Sequence, residues 1–389
     1  MRDGVEAQVL VNQRALIDKM LARYSGDYST FRELIQNADD AGATEICIEF
    51  SSKQTSRNPE KIAGLEEIRL SNNGRAFSEL DWERISKIAE GNPDEQTVGM
   101  FGVGFYSVFS FTEHPLIYSD GIWLAFHWKQ DQLCTSRMKE SGSTINARLH
   151  HHSTHFVFGV RDTTLSFSLS ELQQFLSSAM FFSKSLCSIQ LLFNDKEICV
   201  VRKTRGAKPR TIPMSEEMRV CCLPEKLIQS LLPSLNPQDI PDIQQRLTLG
   251  LDSLSVISMS LAVSAGLGKS KVSSKERFIV VQGNFRSNPT EKFASQCHRI
   301  LKKNIPATTQ CSLLFQPQGD TLKEGKIFVG ISTHQLTGCR THLAGHFYPT
   351  IHPFRIGKVF PAVLRLLHGT QIPFLRWGLL QSICLGIGL

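Results

Sequence analysis

Apolar residues recur at helical spacing twice within the first fifty positions. In residues 12–24 the apolar side chains of Ala15, Leu16, Met20 and Leu21 form a helical stripe, and Asn12 has the short polar side chain that caps helix N-termini. A second repeat runs from Phe31 to Ala38 and stops before Gly42, a residue suited to the left-handed conformation in which helices often end. The pattern predicts two successive helices, and the second carries the segment RELIQNADDAG.

Alternating apolar and polar positions follow and predict strands. Residues 44–50 (TEICIEF) and 66–72 (EEIRLSN) alternate with a period of two, which is typical of neighbouring strands with one buried face. A polar turn then leads to a short predicted helix at 81–90. Further strands are predicted at LIYSD and IWLAFHW, so the residues up to about 160 are expected to form one compact α/β unit.

A second set of elements is predicted beyond residue 165. Residues 169–182 have a helical pattern, residues 187–193 a strand pattern, and residues 235–247 a polar helical pattern. These elements indicate a second α/β domain.

Composition and charge narrow the class of protein. The net charge of +7 is concentrated at the C-terminal end, where six basic residues and no acidic residue follow Glu324, so the rest of the chain is nearly neutral. We therefore expect no nucleic-acid partner. Ten cysteines without regular spacing, and an N-terminus without an apolar run, indicate a cytoplasmic or nuclear chain. Residues 372–389 are apolar but contain Arg376, and we expect a disordered or partly packed tail there rather than a membrane anchor.

The second predicted helix carries the main candidate chemistry. Glu33, Asn37 and Asp40 are spaced so that all three side chains project from one helical face. Mg²⁺ in a nucleotide complex needs few protein oxygens, and the carbonyl of Asn37 is sufficient for one of them. Glu33, one turn earlier, is placed to deprotonate an attacking water molecule. The alternative is a helix face that is simply solvated.

Glycines before an apolar run supply a candidate phosphate site. Gly99, Gly102 and Gly104 lie in GMFGVGFYS, and glycine backbone at the start of a helix approaches phosphate oxygens closely. Considered alone, the glycines could instead relieve crowding at a strand-to-helix turn.

Two polar turns are candidates for contact with a base. Asn72, Asn73 and Gly74 follow a strand and can offer a side-chain oxygen to an amino group, although Asn-Gly is also a common turn in its own right. The hydroxyls of Ser143 and Thr144 could complete a water network on the same side. The histidines at 150–152 and His155 suggest a metal site, but a solvated loop is the favoured interpretation because consecutive residues diverge.

These motifs, in this order, resemble the boxes of the Bergerat-type ATP-binding fold of the GHKL superfamily, which includes gyrase, heat-shock chaperones, histidine kinases and MutL. FGVGFYS is similar to the ninety-kilodalton heat-shock chaperone. FRELIQNADDAGATEI and residues 325–347 resemble the sacsin and plant NO VEIN group more closely, and a group of large fungal proteins most of all. The resemblance covers roughly residues 8–351.

The resemblance implies an α/β fold, with a two-layer sandwich of helices on one face of a mixed sheet at 8–160. A second α/β domain at 165–351 and an irregular basic, apolar tail at 352–389 would follow. It implies ATP and Mg²⁺ as ligands, Glu33 as the catalytic glutamate and Asn37 as the magnesium ligand. The implied ATP-binding residues are Asn37, Asp40, Ala41, Asn72, Gly74, Gly99, Phe101, Gly102, Val103, Gly104, Phe105, Ser143 and Thr144.

The chain departs from the family at three places. Asn72 stands where most members have an aspartate that accepts from the adenine amino group, which affects adenine selectivity. The segment 91–98 is short where the chaperone has a mobile lid. Residues after 351 match nothing in the family, and we expect a truncated or mis-spliced product.

The function implied is Mg-dependent ATP binding with slow hydrolysis to ADP and phosphate, driving a chaperone-like conformational cycle on protein clients. The alternative is a non-catalytic nucleotide-binding scaffold or interaction protein with a degenerate site. The sequence identifies neither the client nor the oligomeric state.

Overall fold

The computed structural model describes residues 11–22, 28–53, 60–88, 104–139, 153–206, 208–213, 253–266, 272–286, 308–316, 325–329, 331–336 and 341–345, together with positions 295 and 298. Several of the predicted features lie outside the described residues. They are Gly99, Phe101, Gly102, Val103, Ser143, Thr144, the histidines at 150–152, the helix at 235–247 and the tail at 352–389.

The predicted helices of the N-terminal part are present. The α-helices are α1 (Gln13–Leu21), α2 (Ser29–Asp40), α3 (Glu79–Ile85) and α4 (Leu169–Met180), and a 3-10 helix spans Phe105–Ser110. The side chain of Asn12 caps α1 by accepting from the amide of Ala15 at 2.8 Å. Gly42 has a φ of +76°, so the chain leaves α2 in the left-handed conformation expected of that glycine.

The described residues contain seventeen strands, and those predicted at 44–50, 66–72, 116–120, 122–128 and 187–193 are among them. The strands are β1 (Glu45–Ser52), β2 (Lys61–Ile62), β3 (Leu65–Asn72), β4 (Leu116–Ser119), β5 (Ile122–Lys129), β6 (Gln132–Lys139), β7 (Thr154–Gly159), β8 (Phe167–Ser168), β9 (Ser188–Phe193), β10 (Lys196–Arg205), β11 (Arg210–Pro213), β12 (Ser253–Ala265), β13 (Val272–Arg286), β14 (Thr308–Phe315), β15 (Lys326–Val329), β16 (Ile331–Leu336) and β17 (His342–Gly345).

Fifteen of these strands form one mixed sheet. Its order is β16-β15-β17-β14-β13-β12-β10-β9-β1-β3-β7-β4-β5-β6, with β11 paired to β12, while β2 and β8 form a separate pair. β1 pairs antiparallel with β3 and parallel with β9, so the sheet continues from the N-terminal elements into those that follow α4. The architecture is therefore mixed α/β, and the division into two domains near residue 160 stays a prediction.

α2 packs its apolar residues against the N-terminal part of the sheet. Phe31, Leu34, Ile35 and Ala38 are each at most 2% exposed and belong to the same buried cluster as the apolar residues of β1 and β3. Fully burying an aliphatic or aromatic side chain contributes about 1.5–3 kcal/mol, so this stripe fixes the rotation of α2. The opposite stripe, with Glu33 and Asn37, is thereby turned away from the core.

Within the described part of the chain, no helix has the length and apolar character needed to span a membrane.

Candidate functional site

Glu33 of α2 and Gly104, the residue before the 3-10 helix, lie directly against each other. A Cβ atom built on Gly104 would stand 2.5 Å from Cδ and 3.1 Å from Cγ of Glu33, and closer still to Oε2. A side chain at position 104 therefore requires the Glu33 carboxylate to move. The structure thus brings the helix of the first motif into contact with the last glycine of the second.

Burial changes the chemistry of the Glu33 carboxyl. Its partly buried position raises the pKa of Glu33, the positive charge of Arg32 lowers it, and the negative charge of Asp40 raises it again. The net shift is upward because the loss of hydration disfavours the charged form. A carboxyl with a raised pKa is a stronger base once it is ionised.

The other two polar residues of the α2 face differ in their surroundings. The side chain of Asn37 is exposed, as a group that binds an external ligand must be. Asp40 is partly buried, and its Oδ1 accepts from Nε2 of Gln36 at 3.3 Å. The two residues therefore share a helix face while only Asn37 is fully open to solvent.

Ala41, Asn72 and Gly74 converge where α2 ends. Asn72 is 3% exposed, and its Oδ1 accepts from the amide of Gly74 at 3.0 Å. A Cβ atom on Gly74 would lie 3.1 Å from Cβ and 3.2 Å from the carbonyl oxygen of Ala41. The three residues predicted for one end of the site therefore do lie together, in a tightly packed turn.

Asn73 has a different role from its neighbour. Its Oδ1 accepts from the amides of Thr44 and Glu45, both at 2.9 Å, and its Nδ2 donates to Oγ1 of Thr44 at 2.8 Å. These bonds fasten the turn after β3 to the entry of β1. Asn73 therefore stabilises this turn. Asn72 instead faces the side of the sheet on which α2 packs.

Phe105 is the remaining predicted residue in the described part. Its ring is 8% exposed and packs at 5.4 Å from Phe126 and 6.3 Å from Phe156, measured between ring centroids. The ring therefore belongs to the core. Only the main chain of Phe105, at the start of the 3-10 helix, is left as a candidate for ligand contact.

Hydroxyl groups on β4 and β7 were missed by the sequence analysis. Thr154 pairs with Asn72 across the sheet and with Ser119 on its other side, and the Thr154 and Ser119 hydroxyl oxygens are 2.9 Å apart. Ser153 donates from its amide to the carbonyl of Asn72 at 2.9 Å and from its hydroxyl to the carbonyl of Gly74. The run of β-forming apolar residues in HFVF was the available signal for this strand.

The same strand corrects the interpretation of His155. The sequence favours a solvated loop, but His155 lies within β7 and is 1% exposed, because both faces of β7 are covered and its residues 154–158 are all buried. Among the described residues no group of three or more histidine, cysteine, aspartate or glutamate side chains is arranged to hold a metal ion.

Asp39 was also missed, because its hydrogen-bond partners lie far along the chain and on a different face of α2 from Glu33, Asn37 and Asp40. Its carboxylate accepts from the amides of Lys184 and Ser185, both at 2.8 Å, and of Leu186 at 3.1 Å. Three amides converging on one carboxylate make a strong anchor. Asp39 therefore ties the end of α2 to the loop that follows α4.

That loop is held from its other side by two cations of β10. Nζ of Lys203 donates to the carbonyl of Ser183 at 2.8 Å, and Arg205 donates to the same carbonyl at 2.8 Å. Burial, with the positive charge of Arg205 adding to its effect, lowers the pKa of Lys203 to about 8, against the opposing effect of Asp39. The loop thus connects the candidate site helix to the central sheet.

Comparison with known proteins shows a family likeness over the N-terminal part of the chain. Residues 12–193 match the family model described as the Sacsin domain. Human sacsin is 35% identical over 108 residues, which are 26% of this chain and 2% of the human protein. The predicted resemblance to sacsin is confirmed, whereas the one to NO VEIN and to fungal proteins stays a prediction.

Solved structures give a coarser likeness. The N-terminal domain of a DNA repair protein has a TM-score of 0.28 and 9% identity, with 59% of this chain and 66% of that chain covered. The ATP-binding domain of topoisomerase IV from Francisella tularensis, solved with a small-molecule inhibitor, has a TM-score of 0.28 and 14% identity, with 47% and 92% covered. Neither similarity identifies a function for this chain.

Proposed function

We propose that this chain binds ATP with Mg²⁺ between α2 and the glycine segment and hydrolyses it slowly. The main support for this proposal is the contact between Glu33 and Gly104. It places a carboxylate that can act as a base beside backbone that has no side chain. Triphosphate oxygens approach such backbone closely. The proposal thus rests on two sequence motifs that meet in space.

The residues present fit the metal as well. Asn37 projects an exposed amide from the same face of α2 as the partly buried Glu33, so a hydrated cation has one protein oxygen and open space for its waters. Bound Mg²⁺ would supply positive charge to the phosphate oxygens. Asn37 is the residue that would hold it.

Glu33 is proposed to take a proton from the attacking water. Its raised pKa suits this task, since a general base works best when its pKa approaches the working pH. Asp40 supports the shift through its negative charge, and Gly104 leaves the carboxylate room beside the chain.

The test separates binding from turnover. Glu33→Gln should keep MgATP affinity within about twofold and lower the rate of phosphate release by about 100-fold, since general-base catalysis contributes about 10²–10⁴-fold. Asn37→Ala should lose Mg-dependent binding. Glu83→Gln, the same change at an exposed position of α3, is the matched control and should alter neither quantity.

The outcomes also distinguish the proposed hydrolysis from the alternative, a non-catalytic scaffold. Binding without any phosphate release, in the parent chain and in Glu33→Gln alike, would indicate a nucleotide-binding scaffold. Absence of Mg-dependent binding in the parent chain would end the proposal.

The wider role proposed is a chaperone-like conformational cycle acting on other proteins in the cytoplasm or nucleus. It is supported by the match to the Sacsin domain. The chain spans only about 2% of the length of human sacsin. Any activity of the whole sacsin protein is therefore only a proposal for this chain.

A further inference from the structure

The first part of β13 has one side without a strand partner among the described residues. β13 pairs with β12 from Val272 to Gly283, but β14 pairs with it only from Ile279 to Arg286. Residues 272–277 are all exposed, and Val272 is 73% exposed. This segment, residues 272–277, is called the free edge below.

The register decides which backbone groups face the open side of the free edge. The amide of Gly206 donates to the carbonyl of Ser258 at 2.7 Å, so alternate residues of β12 counted from Ser258 bond β10, and the residues between them bond β13. The β13 partners of these intermediate residues are Val272, Ser274, Glu276 and Phe278. The amides and carbonyls of Ser273, Lys275 and Arg277 therefore point away from β12.

The side chains of the same three residues lie on the face of the sheet opposite the core. Phe278 and Val280 belong to the buried cluster, and alternate residues of a strand point to opposite faces. Ser273, Lys275 and Arg277 are therefore on the other face. Their partners on β12 are the small residues Ser264, Ala262 and Ser260.

The free edge carries positive charge that no described residue neutralises. Neither Lys275 nor Arg277 has an ion pair or a side-chain hydrogen bond with a described residue. Glu276 points to the core side of the sheet, where its Oε2 accepts from Nε2 of Gln316 at 3.4 Å. The exposed Arg202 of β10 lies on the same face as Lys275 and adds to the positive charge there.

These cations select against a second copy of the same strand. Pairing β13 with itself would bring cations opposite or diagonal to each other, and like charges in those positions are destabilising. Exposed charges on an edge strand also discourage pairing with uncharged strands. A strand that carries acidic side chains would instead turn the same charges into an attraction.

We propose that the free edge of β13 binds an extended acidic segment of a partner protein, which adds to the sheet as one more strand. The backbone of that segment bonds the outward amides and carbonyls of Ser273, Lys275 and Arg277, and acidic side chains two positions apart meet the two cations. The proposal is independent of nucleotide binding, so failure of one leaves the other in place.

The test measures the binding of a labelled synthetic peptide of alternating glutamate and threonine residues to the full chain by fluorescence anisotropy. One control peptide has lysine in place of glutamate, and the other is the acidic peptide with methylated backbone amides. We expect binding of the acidic peptide alone, and weaker binding at higher salt because the ion pairs are exposed.

The charge contribution is tested at the two cations. The double substitution Lys275→Gln and Arg277→Gln should weaken peptide binding about tenfold, since two exposed ion pairs together contribute up to about that factor. The matched control is Lys196→Gln with Arg210→Gln, which removes two exposed cations from β10 and β11. It should leave the affinity of the parent chain unchanged.

The backbone contribution is tested at Ser273 without a change in charge. Its amide points outward, so Ser273→Pro removes one donor from the free edge and spares the bonds to β12. Peptide affinity should fall about fivefold, since one hydrogen bond contributes about that factor. Ser273→Ala keeps the amide and should bind the peptide as the parent chain does.

The remaining outcomes count against the proposal. Equal binding of the acidic and lysine peptides, or equal affinity in the parent chain and the double glutamine variant, overturns it. Tighter binding of single-stranded DNA or of phosphatidylserine vesicles, lost in the double glutamine variant, would show that the cations serve a polyanion and not a strand. Dimerisation of the parent chain that Ser273→Pro abolishes would assign the edge to a second copy. If Ser273→Pro does not fold, full binding of the methylated peptide overturns the role of the backbone.

Discussion

Gly104 lies against the carboxylate of Glu33 with no space for a methyl group between them. A Cβ atom at position 104 would stand 2.5 Å from Cδ of Glu33, whereas carbon atoms in contact normally lie about 3.5–4.0 Å apart. Glu33 is partly buried and its helix is held by the apolar stripe beneath it, so the end of the Glu33 side chain is the group that can yield. The bare backbone at 104 thus allows the carboxylate to occupy its observed position.

Gly104→Ala should displace the Glu33 side chain or the 3-10 helix. Overpacking of this kind costs about 1–3 kcal/mol, so we expect the free energy of unfolding to fall by about that amount. Phosphate release should fall with it, because Glu33 loses its position. Urea unfolding and a phosphate-release assay measure the two effects.

Gly159→Ala is the control for that substitution. Gly159 is an exposed residue at the end of β7, and a Cβ atom there meets no heavy atom within 4 Å. The Gly159→Ala variant should have the same stability and the same rate of phosphate release as the parent chain. Equal losses in both variants would show that the contact with Glu33 is not the cause.

Removing the charge of Asp40 should shift the pH profile of turnover. Phosphate release is expected to rise with pH as Glu33 loses its proton, with a midpoint above the ordinary carboxyl value because burial raises the pKa of Glu33. Asp40 adds to that rise, so Asp40→Asn should move the midpoint to lower pH. Rates measured between about pH 4 and pH 9 would show the shift. An unchanged midpoint in Asp40→Asn would show that the charge of Asp40 does not raise the pKa of Glu33.

Glu33→Gln should stabilise the fold at neutral pH. The raised folded-state pKa of Glu33 means that the folded chain holds this proton more tightly than the unfolded chain, so stability falls as pH rises from the ordinary value of 4.5 through the folded pKa. The amide carries no charge to desolvate, so we expect a gain on the order of 1 kcal/mol in the free energy of unfolding. Urea unfolding at pH 4 and pH 8 tests it: the gain should be present at pH 8 and absent at pH 4, and Glu83→Gln should show none.

Local patterns predicted the elements around the site, and pairing between distant segments decided the rest. The stripe from Phe31 to Ala38 specified α2 and the face left for Glu33, because helical spacing is visible in a single segment. The parallel pairing of β1 with β9 joins residues about 140 positions apart and leaves no local signal.

The same limit explains the missed residues. In the sequence, Ser143–Thr144 and Ser153–Thr154 are both hydroxyl-bearing pairs that precede an apolar pattern, and only the register of β7 on β3 brings Thr154 beside Asn72. Asp39 bonds amides that begin 145 positions later. Neither relationship can be derived from the spacing of residues along the chain.

Asp39→Ala should destabilise the protein by about 3 kcal/mol, because hydrogen bonds to a charged group are worth about 1.5–3 kcal/mol and three amides lose their acceptor together. Hydrogen exchange of the amides of Lys184, Ser185 and Leu186 should become faster. Chemical unfolding and exchange measured by NMR or mass spectrometry test both effects. Asp18→Ala, at an exposed position of α1, should change stability by less than about 0.5 kcal/mol.

Lys203→Met should remove a rise in stability at alkaline pH. Burial, with a further contribution from Arg205, lowers the pKa of Lys203 from 10.5 to about 8, while Asp39 and Cys187 oppose the shift. Between those two values the unfolded chain holds more protons than the folded chain, so the free energy of unfolding rises with pH, by up to about 1.4 kcal/mol per pH unit.

Below pH 8 the lysine is charged in both states, and its burial cost is fully present. Urea unfolding between pH 7.5 and pH 10 should therefore give a steeper positive slope for the parent chain than for Lys203→Met. Lys196→Met changes an exposed lysine of the same strand and should keep the parent slope. Equal slopes for the parent chain and Lys203→Met would mean that Lys203 holds its proton as tightly in the folded chain as in water, and that the loop after α4 is not anchored on a desolvated cation.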